Sequence, residues 1–210
     1  MKNTQLIRKV LLTAVFSLLL CGFAAANTVS YDITVNTSTI NGDDGFVDFT
    51  LQPSDSTSQP AMVSITSFAT DGTVSANDPL RTGDATGTLP GTVELDNGMF
   101  FNDYFHEFQF GSYISFDVTL SGDVLTNPDG TLDGSTFNFS MFAADGFTPL
   151  LTSSSEGSAF RVDVVNGTAA LTTYPNESGG PSDVHVPEPA SLGLLASGAL
   201  GLLAFRKRRS

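Results

Sequence analysis

The sequence predicts an all-β domain, an antiparallel β-sandwich or jelly roll, between two terminal segments of different character. Apolar and polar residues alternate with a period of two in many short stretches, as they do in strands with one buried face. Pairs such as Asn41-Gly42, Asp71-Gly72 and Asn166-Gly167 separate these stretches, and such pairs close tight hairpins. No window between residues 27 and 186 shows the sustained apolar period of a helix.

The strands follow from this alternation in chain order. It is clearest over 114–120 and recurs over 29–35, 137–141 and 160–164. Shorter candidates lie at 46–51, 61–68, 91–95, 104–110, 147–152 and 168–173. About eight to ten short strands with turns between them predict a single sandwich domain over residues 27–173. Residues 174–186 are rich in Pro, Gly and Ser and predict a linker.

Acidic residues dominate the segment from Asn27 to Val186, where 21 aspartates and glutamates face two arginines, a net charge of −19. Such a field repels nucleic-acid phosphates and anionic lipid, so no nucleic-acid partner is expected. The 17 phenylalanines of the chain favour a folded core over disorder. The segment contains no cysteine, which excludes disulfides and thiolate chemistry from it.

Residues 1–26 have the layout of a secretory signal peptide. A positively charged start is followed by the uncharged apolar run 10–20 and then by small residues. The predicted cleavage site comprises Ala24, Ala26 and Asn27. We therefore expect export, with residues 1–26 removed.

The C-terminal segment, residues 187–210, has three parts. Pro187-Glu188-Pro189 precedes the uncharged apolar run 190–205, and a basic tail follows, formed by Arg206, Lys207, Arg208 and Arg209. Sixteen helical residues span about 24 Å, and long cationic side chains can extend toward the headgroups of a hydrocarbon core about 30 Å thick. We expect a transmembrane helix at 190–205 with its basic tail in the cytoplasm and the preceding domain outside.

These three parts in this order resemble the PEP-CTERM sorting signal. In that system, found in Gram-negative bacteria that make exopolysaccharide, a membrane-embedded cysteine transpeptidase called exosortase recognises the signal and cleaves near the Pro-Glu-Pro. The resemblance implies an exosortase-type partner and an exported protein, tethered to the membrane at its C-terminus and then located at the cell surface or outside the cell.

The exported domain also resembles one uncharacterised family of PEP-CTERM proteins. The segments that carry this resemblance are NGDDGFVDFTLQP (41–53), GTLPGTVELDN (87–97), FGSYISFDVTLSG (110–122) and FTPLLT (147–152). That family has no established activity, so the resemblance implies no site residues.

Two groups of oxygen ligands are candidates for structural Ca²⁺, although no cofactor is required by the sequence. One group contains Asp43 and Asp44, and the other contains Asp129 and Asp133. Hard cations bind several carboxylate and carbonyl oxygens on flexible loops. The second group lacks acidic residues at the first and last positions of an EF-hand loop, so hairpin and Asx turns are the alternative explanation.

Catalytic residues are scarce. His106 in NDYFHEF shares a strand face with Tyr104 and Phe108, and no G-x-S-x-G elbow accompanies it. A pair of acids could serve a glycosidase, but no motif selects one. Tyr113 is the best candidate for stacking on a sugar because it falls opposite the apolar face of its strand.

These observations predict a non-catalytic exported protein of the cell surface or extracellular matrix. The alternative is a polysaccharide-binding sandwich, stabilised by calcium, with the exopolysaccharide as partner. An envelope hydrolase is the third interpretation.

Overall fold

The computed structural model describes residues 28–185, so the signal peptide, the transmembrane helix predicted at 190–205 and the basic tail lie outside the described residues. Within that range no helix is both long and apolar enough to cross a bilayer. One short helix, α1, covers Asp123–Thr126. The strands are β1 (Val29–Asn36), β2 (Asp44–Pro53), β3 (Met62–Thr70), β4 (Thr73–Val74), β5 (Leu80–Thr82), β6 (Ala85–Gly87), β7 (Val93–Asp96), β8 (Asn102–Gln109), β9 (Tyr113–Ser121), β10 (Ser135–Ala143), β11 (Ser158–Val165), β12 (Thr168–Thr173) and β13 (Gly180–His185).

The strands form two antiparallel sheets. The first sheet has the order β13-β1-β9-β3-β7-β6. The second has the order β12-β11-β10-β2-β8-β4, with β5 also paired to β8. The predicted antiparallel β-sandwich is confirmed.

An aromatic core joins the two sheets. The Phe116 ring on β9 of the first sheet lies 5.3 Å from Phe49, 5.1 Å from Phe139 and 6.1 Å from Phe160, all on the second sheet. These four side chains are at most 1% exposed. Aromatic pairs of this kind add about 0.5–1.5 kcal/mol beyond the burial of their area. In a domain without cysteine, this packing provides the stability that disulfides supply elsewhere.

Most predicted strands and turns coincide with the observed ones. The stretch 168–173 is β12, and its hairpin with β11 is closed by Asn166 and Gly167, both with positive φ (45° and 79°). The register pairs Val165 with Thr168, so the turn has two residues, as an Asn-Gly pair favours.

The strand predicted at 147–152 is wrong. Asp145 accepts hydrogen bonds from the Thr148 hydroxyl and from the backbone N–H groups of Thr148 and Phe147, and these bonds lower the pKa of Asp145 to about 2. Leu151 then adopts a positive φ of 53°. This tight turn and the left-handed residue prevent a continuous ladder, and only Pro149 makes an isolated bridge, to Phe142.

The linker predicted at 174–186 is also corrected, because its described part, residues 174–185, ends in a strand. Tyr174 bonds through its backbone to Ala159 and Ser153, and Asn176 bridges to Gly179. Residues 180–185 then form β13, which pairs with β1 from Asn36 to Asp32. Gly, Pro and Ser suit this edge position, because an edge strand needs fewer backbone donors.

The sandwich has two ends, named here from the chain connections. At the lower end β7 stops at Asp96 and β8 begins at Asn102, whereas at the upper end β8 stops at Gln109 and β9 begins at Tyr113. β1 starts at the lower end, because Val29 pairs with Leu120 near the end of β9. β13 is antiparallel to β1 and therefore runs toward the lower end.

Candidate binding site

His106, the histidine considered for catalysis, lies on the core side of β8 and is 2% exposed. Its Nε2 lies 2.9 Å from the Asn77 backbone carbonyl oxygen, which can only accept a hydrogen bond, so Nε2 carries a proton. In the neutral ring Nδ1 then accepts from the Tyr104 hydroxyl at 2.8 Å, while that hydroxyl accepts from the Leu89 N–H. The ring is enclosed in a structural network, as its place on the face of Tyr104 and Phe108 predicted.

The predicted calcium ligands lie at opposite ends of the domain. Asp43 and Asp44 are exposed at the upper end, before and at the start of β2, whereas Asp129 and Asp133 lie in the loop before β10 at the lower end. Asp129 Oδ1 accepts the N–H and hydroxyl of Thr131, at 2.9 and 2.8 Å, which is an Asx turn. No group of three or more His, Cys, Asp or Glu side chains within residues 28–185 could hold a metal ion. Calcium stabilisation stays a prediction.

The outer face of the second sheet carries a row of polar side chains across its middle. Ser158 donates to Asn138 Oδ1 at 3.2 Å, and Asn138 Nδ2 donates to Thr50 Oγ1 at 3.3 Å. Three neighbouring strands contribute these residues, because outward positions alternate with core positions such as Phe49 and Phe139.

An aromatic cluster lies beside this row, toward the upper end. The Phe46 and Phe105 rings stack with centroids 4.5 Å apart and planes inclined by 15°, and Phe142 adjoins Phe105 at 6.0 Å. All three rings are only half-buried, and they lie on the side of the sheet that faces away from the core. Their position presents aromatic surface next to hydrogen-bonding groups.

An open groove of about 490 Å³ adjoins the aromatic cluster and is called the outer groove here. This volume falls within the range of small-molecule sites, about 300–1,000 Å³. Its lining includes Asp44, Phe46, Thr73, Ser75, Glu107 and Gln109. Glu107 is held in position because its Oε2 accepts from the Ser75 hydroxyl at 3.1 Å and from Asn77 Nδ2 at 2.6 Å. The groove therefore combines an aromatic wall with two carboxylates, an amide and hydroxyl groups.

A pair of carboxyl groups, Asp48 and Asp103, lies on the same face, on the adjacent strands β2 and β8. Asp103 is close enough to act on the pKa of Asp48, and the Oδ1 atom of each is buried without a hydrogen-bond partner among the described residues. Burial, followed by the hydrogen bond and charge of Asp103, raises the pKa of Asp48 to about 9. Burial also raises the pKa of Asp103. Two carboxylates this close share a proton, so Asp48 donates and Asp103 accepts.

The sequence did not single out Asp48, Asp103 or Glu107. Their outward positions follow from the alternation of β2 and β8, but the pairing of these strands joins residues far apart in the chain. Of the tyrosines, Tyr113 is 38% exposed on the first sheet, which agrees with its predicted outward position. Tyr31 and Tyr104 are buried.

Comparison with known proteins identifies the C-terminal segment. Residues 185–209 match the family model of the PEP-CTERM protein-sorting motif. The match begins at the last residue of β13 and contains the Pro187, Glu188 and Pro189 of the predicted signal. The motif marks the chain as an exported protein that is sorted by exosortase. No curated protein and no solved structure matches the chain significantly.

The proton shared by Asp48 and Asp103 should make the stability of the domain depend on pH. Asp48 has a reference pKa of 3.8 and a pKa of about 9 in the folded protein, so the folded state holds a proton that the unfolded chain releases. Stability is therefore greatest below the unfolded pKa and falls as pH rises toward 9, by at most about 1.4 kcal/mol per pH unit. We expect the wild-type free energy of unfolding to fall from about pH 5 to about pH 8 and Asp48→Asn to flatten this profile.

Urea unfolding at several pH values measures these profiles. Glu94→Gln is the matched control, because Glu94 is exposed on β7. Its profile should be parallel to the wild type. The turn carboxylates with lowered pKa, such as Asp145, titrate below this range and do not interfere. Parallel profiles for wild type and Asp48→Asn would show that the pair does not share a proton.

Proposed function

We propose that this protein is a non-catalytic component of the cell surface or extracellular matrix, tethered to the membrane through its C-terminal segment during sorting. The observation that carries the proposal is the sorting motif at residues 185–209. Because the motif starts where β13 ends, the exported sandwich is delivered as one ordered domain directly attached to its signal.

The geometry of the titratable groups supports binding over catalysis. His106 has both ring nitrogens occupied on the core side, so it presents no free base to a substrate. Asp48 and Asp103 share a proton, which differs from the separate acid and nucleophile or base of a glycosidase. His106 is therefore not placed as a hydrolase base, and an envelope hydrolase, the third interpretation of the sequence, would depend on the Asp48 and Asp103 pair.

The intact mass of the protein recovered from the envelope and medium of its native host tests the sorting proposal. We expect a mass that corresponds to residues 27 to about 188, with or without added groups, because the signal peptide and the tail would both be removed. Recovery of a chain that still contains residues 205–210 in both fractions would contradict processing at the sorting motif.

A second function, polysaccharide binding, is favoured by the outer groove. Sugars present apolar C–H faces that pack on aromatic rings, and their hydroxyl groups donate to carboxylates. The stacked Phe46 and Phe105 and the fixed Glu107 bring both kinds of group to one face. The groove is open-sided, which suits a chain that passes through the site. The outer groove is therefore a better candidate for contact with a sugar than Tyr113, which lies on the other sheet.

Binding of the host's own exopolysaccharide to variants of the groove tests this second function. Glu107→Gln keeps the size of the side chain but removes its charge, and a hydrogen bond to a charged group contributes about 1.5–3 kcal/mol. We therefore expect Glu107→Gln to weaken binding by about tenfold or more. Affinity electrophoresis in gels that contain the polysaccharide measures the change.

Two matched controls separate the outcomes. Tyr113→Ala alters an exposed aromatic residue on the first sheet, and Glu94→Gln removes an exposed carboxylate away from the groove. Both should bind as the wild type does. Binding by Glu107→Gln that equals wild-type binding would exclude the outer groove as the binding site. A loss of binding confined to Tyr113→Ala would place the binding site on the first sheet. Failure of the wild type to bind would reject a polysaccharide ligand.

A further inference from the structure

The loop between β7 and β8 presents three consecutive apolar side chains to solvent. Met99 is 55% exposed, Phe100 73% and Phe101 44%. These residues, called the apolar tip here, lie at the lower end of the sandwich. Leu132, 83% exposed, lies in another loop of the same end. Grouped apolar residues on a surface mark a contact with a partner or a membrane more often than isolated ones do.

The apolar tip is held in place by a buried asparagine on either side. Asn97 Oδ1 accepts from the Ala61 N–H at 2.9 Å, and Asn97 Nδ2 donates to the Gln59 carbonyl and the Ser135 hydroxyl. Asn102 Nδ2 donates to the carbonyl oxygens of Leu51 and Met99. The loop is thus fixed to the body of the domain, which reduces the ordering that a contact would require.

The chain leaves the described domain toward this same end. β13 runs toward the lower end and reaches the level of Asp32 at His185, about three residues from the start of β1. The apolar run of the C-terminal segment begins at Ala190, five residues later. Five residues reach at most about 18 Å, so a bilayer that the chain enters at Ala190 begins within that distance of His185.

We propose that the apolar tip contacts the headgroup region of the bilayer while the chain is tethered by its C-terminal segment. This inference rests on the membrane tether of the proposed function. Apolar side chains such as phenylalanine in surface-bound segments are buried at the boundary between headgroups and acyl chains. Asp84 and Asp96 flank Gly98 at the base of the tip, so their charges confine the contact to the headgroup region and select zwitterionic lipid.

The absence of tryptophan from the chain makes a single-probe experiment available. Phe100→Trp places one fluorophore on the apolar tip of the full-length chain, and this variant is called the tip variant. Phe147→Trp is the matched control, because Phe147 is an exposed aromatic residue (85%) in the loop after β10, at the upper end. Each variant is reconstituted in phosphatidylcholine vesicles with or without lipid that carries a nitroxide quencher near the headgroup.

Flotation of the vesicles on a density gradient is measured first and fluorescence quenching second. We expect both variants to float. The lipid quencher should reduce the indole emission of the tip variant at least about threefold more than that of the control variant, because nitroxides quench on contact and an interfacial apolar group lies among the headgroups. Flotation with equal or no quenching of the two variants would overturn the apolar-tip contact while leaving the tether intact. Failure to float would overturn both.

Self-association through the apolar tip is the competing outcome. A second copy of the chain would shield the indole of the tip variant from a soluble quencher, and only at high protein density in the vesicles. The nitroxide lipid would then not quench the indole. That result would reject the bilayer as the partner. Vesicles that contain anionic lipid should quench the tip variant less than phosphatidylcholine alone, and stronger quenching would contradict the role given to Asp84 and Asp96.

Discussion

The pairing of β13 with β1 is the constraint on which the account of this protein depends. It places the last strand of the domain beside the first, and it covers an edge of the first sheet that would otherwise present unpaired backbone groups. Close backbone contacts support it: a Cβ on Gly179 would lie 2.6 Å from the Asn36 carbonyl oxygen, and one on Gly180 would lie 2.6 Å from that of Leu151. The same pairing sets the direction in which the chain leaves the domain.

The aromatic core determines where polar groups that could bind a ligand are able to lie. Phenylalanines from both sheets fill the interior, so polar groups that could act on a ligand are left to the outer faces and the loops. His106, which is buried, is accommodated by a hydrogen-bonded network instead of by a cavity. The outer face of the second sheet combines an aromatic cluster, a groove and a proton-sharing pair, each supplied by alternate residues of the strands that build the core.

Local patterns predicted what local interactions determine. The alternation over 114–120 predicted β9, and Asn166-Gly167 predicted a two-residue turn because both residues tolerate positive φ. The strand predicted at 147–152 does not form because Asp145 holds Thr148 in a tight turn, a side-chain contact that the alternation does not reveal. The strand β13 was missed because its composition is that of a linker and its partner lies at the other end of the chain. The contact of Asp48 with Asp103 likewise depends on a long-range register that no local pattern contains.

Amide hydrogen exchange over residues 180–185 of the full-length chain tests the central claim most directly, because the end of the domain at which the chain leaves depends on β13. The amides of β13 that bond to β1 should exchange about a hundredfold more slowly than an unstructured chain, and those of β1, which is paired on both sides, should exchange more slowly still. Gly130 and Leu132, exposed in the loop before β10, provide the fast reference within the same molecule. Exchange of 180–185 at the rate of those two residues would mean that the segment is a free linker and that the chain does not leave the domain at its lower end.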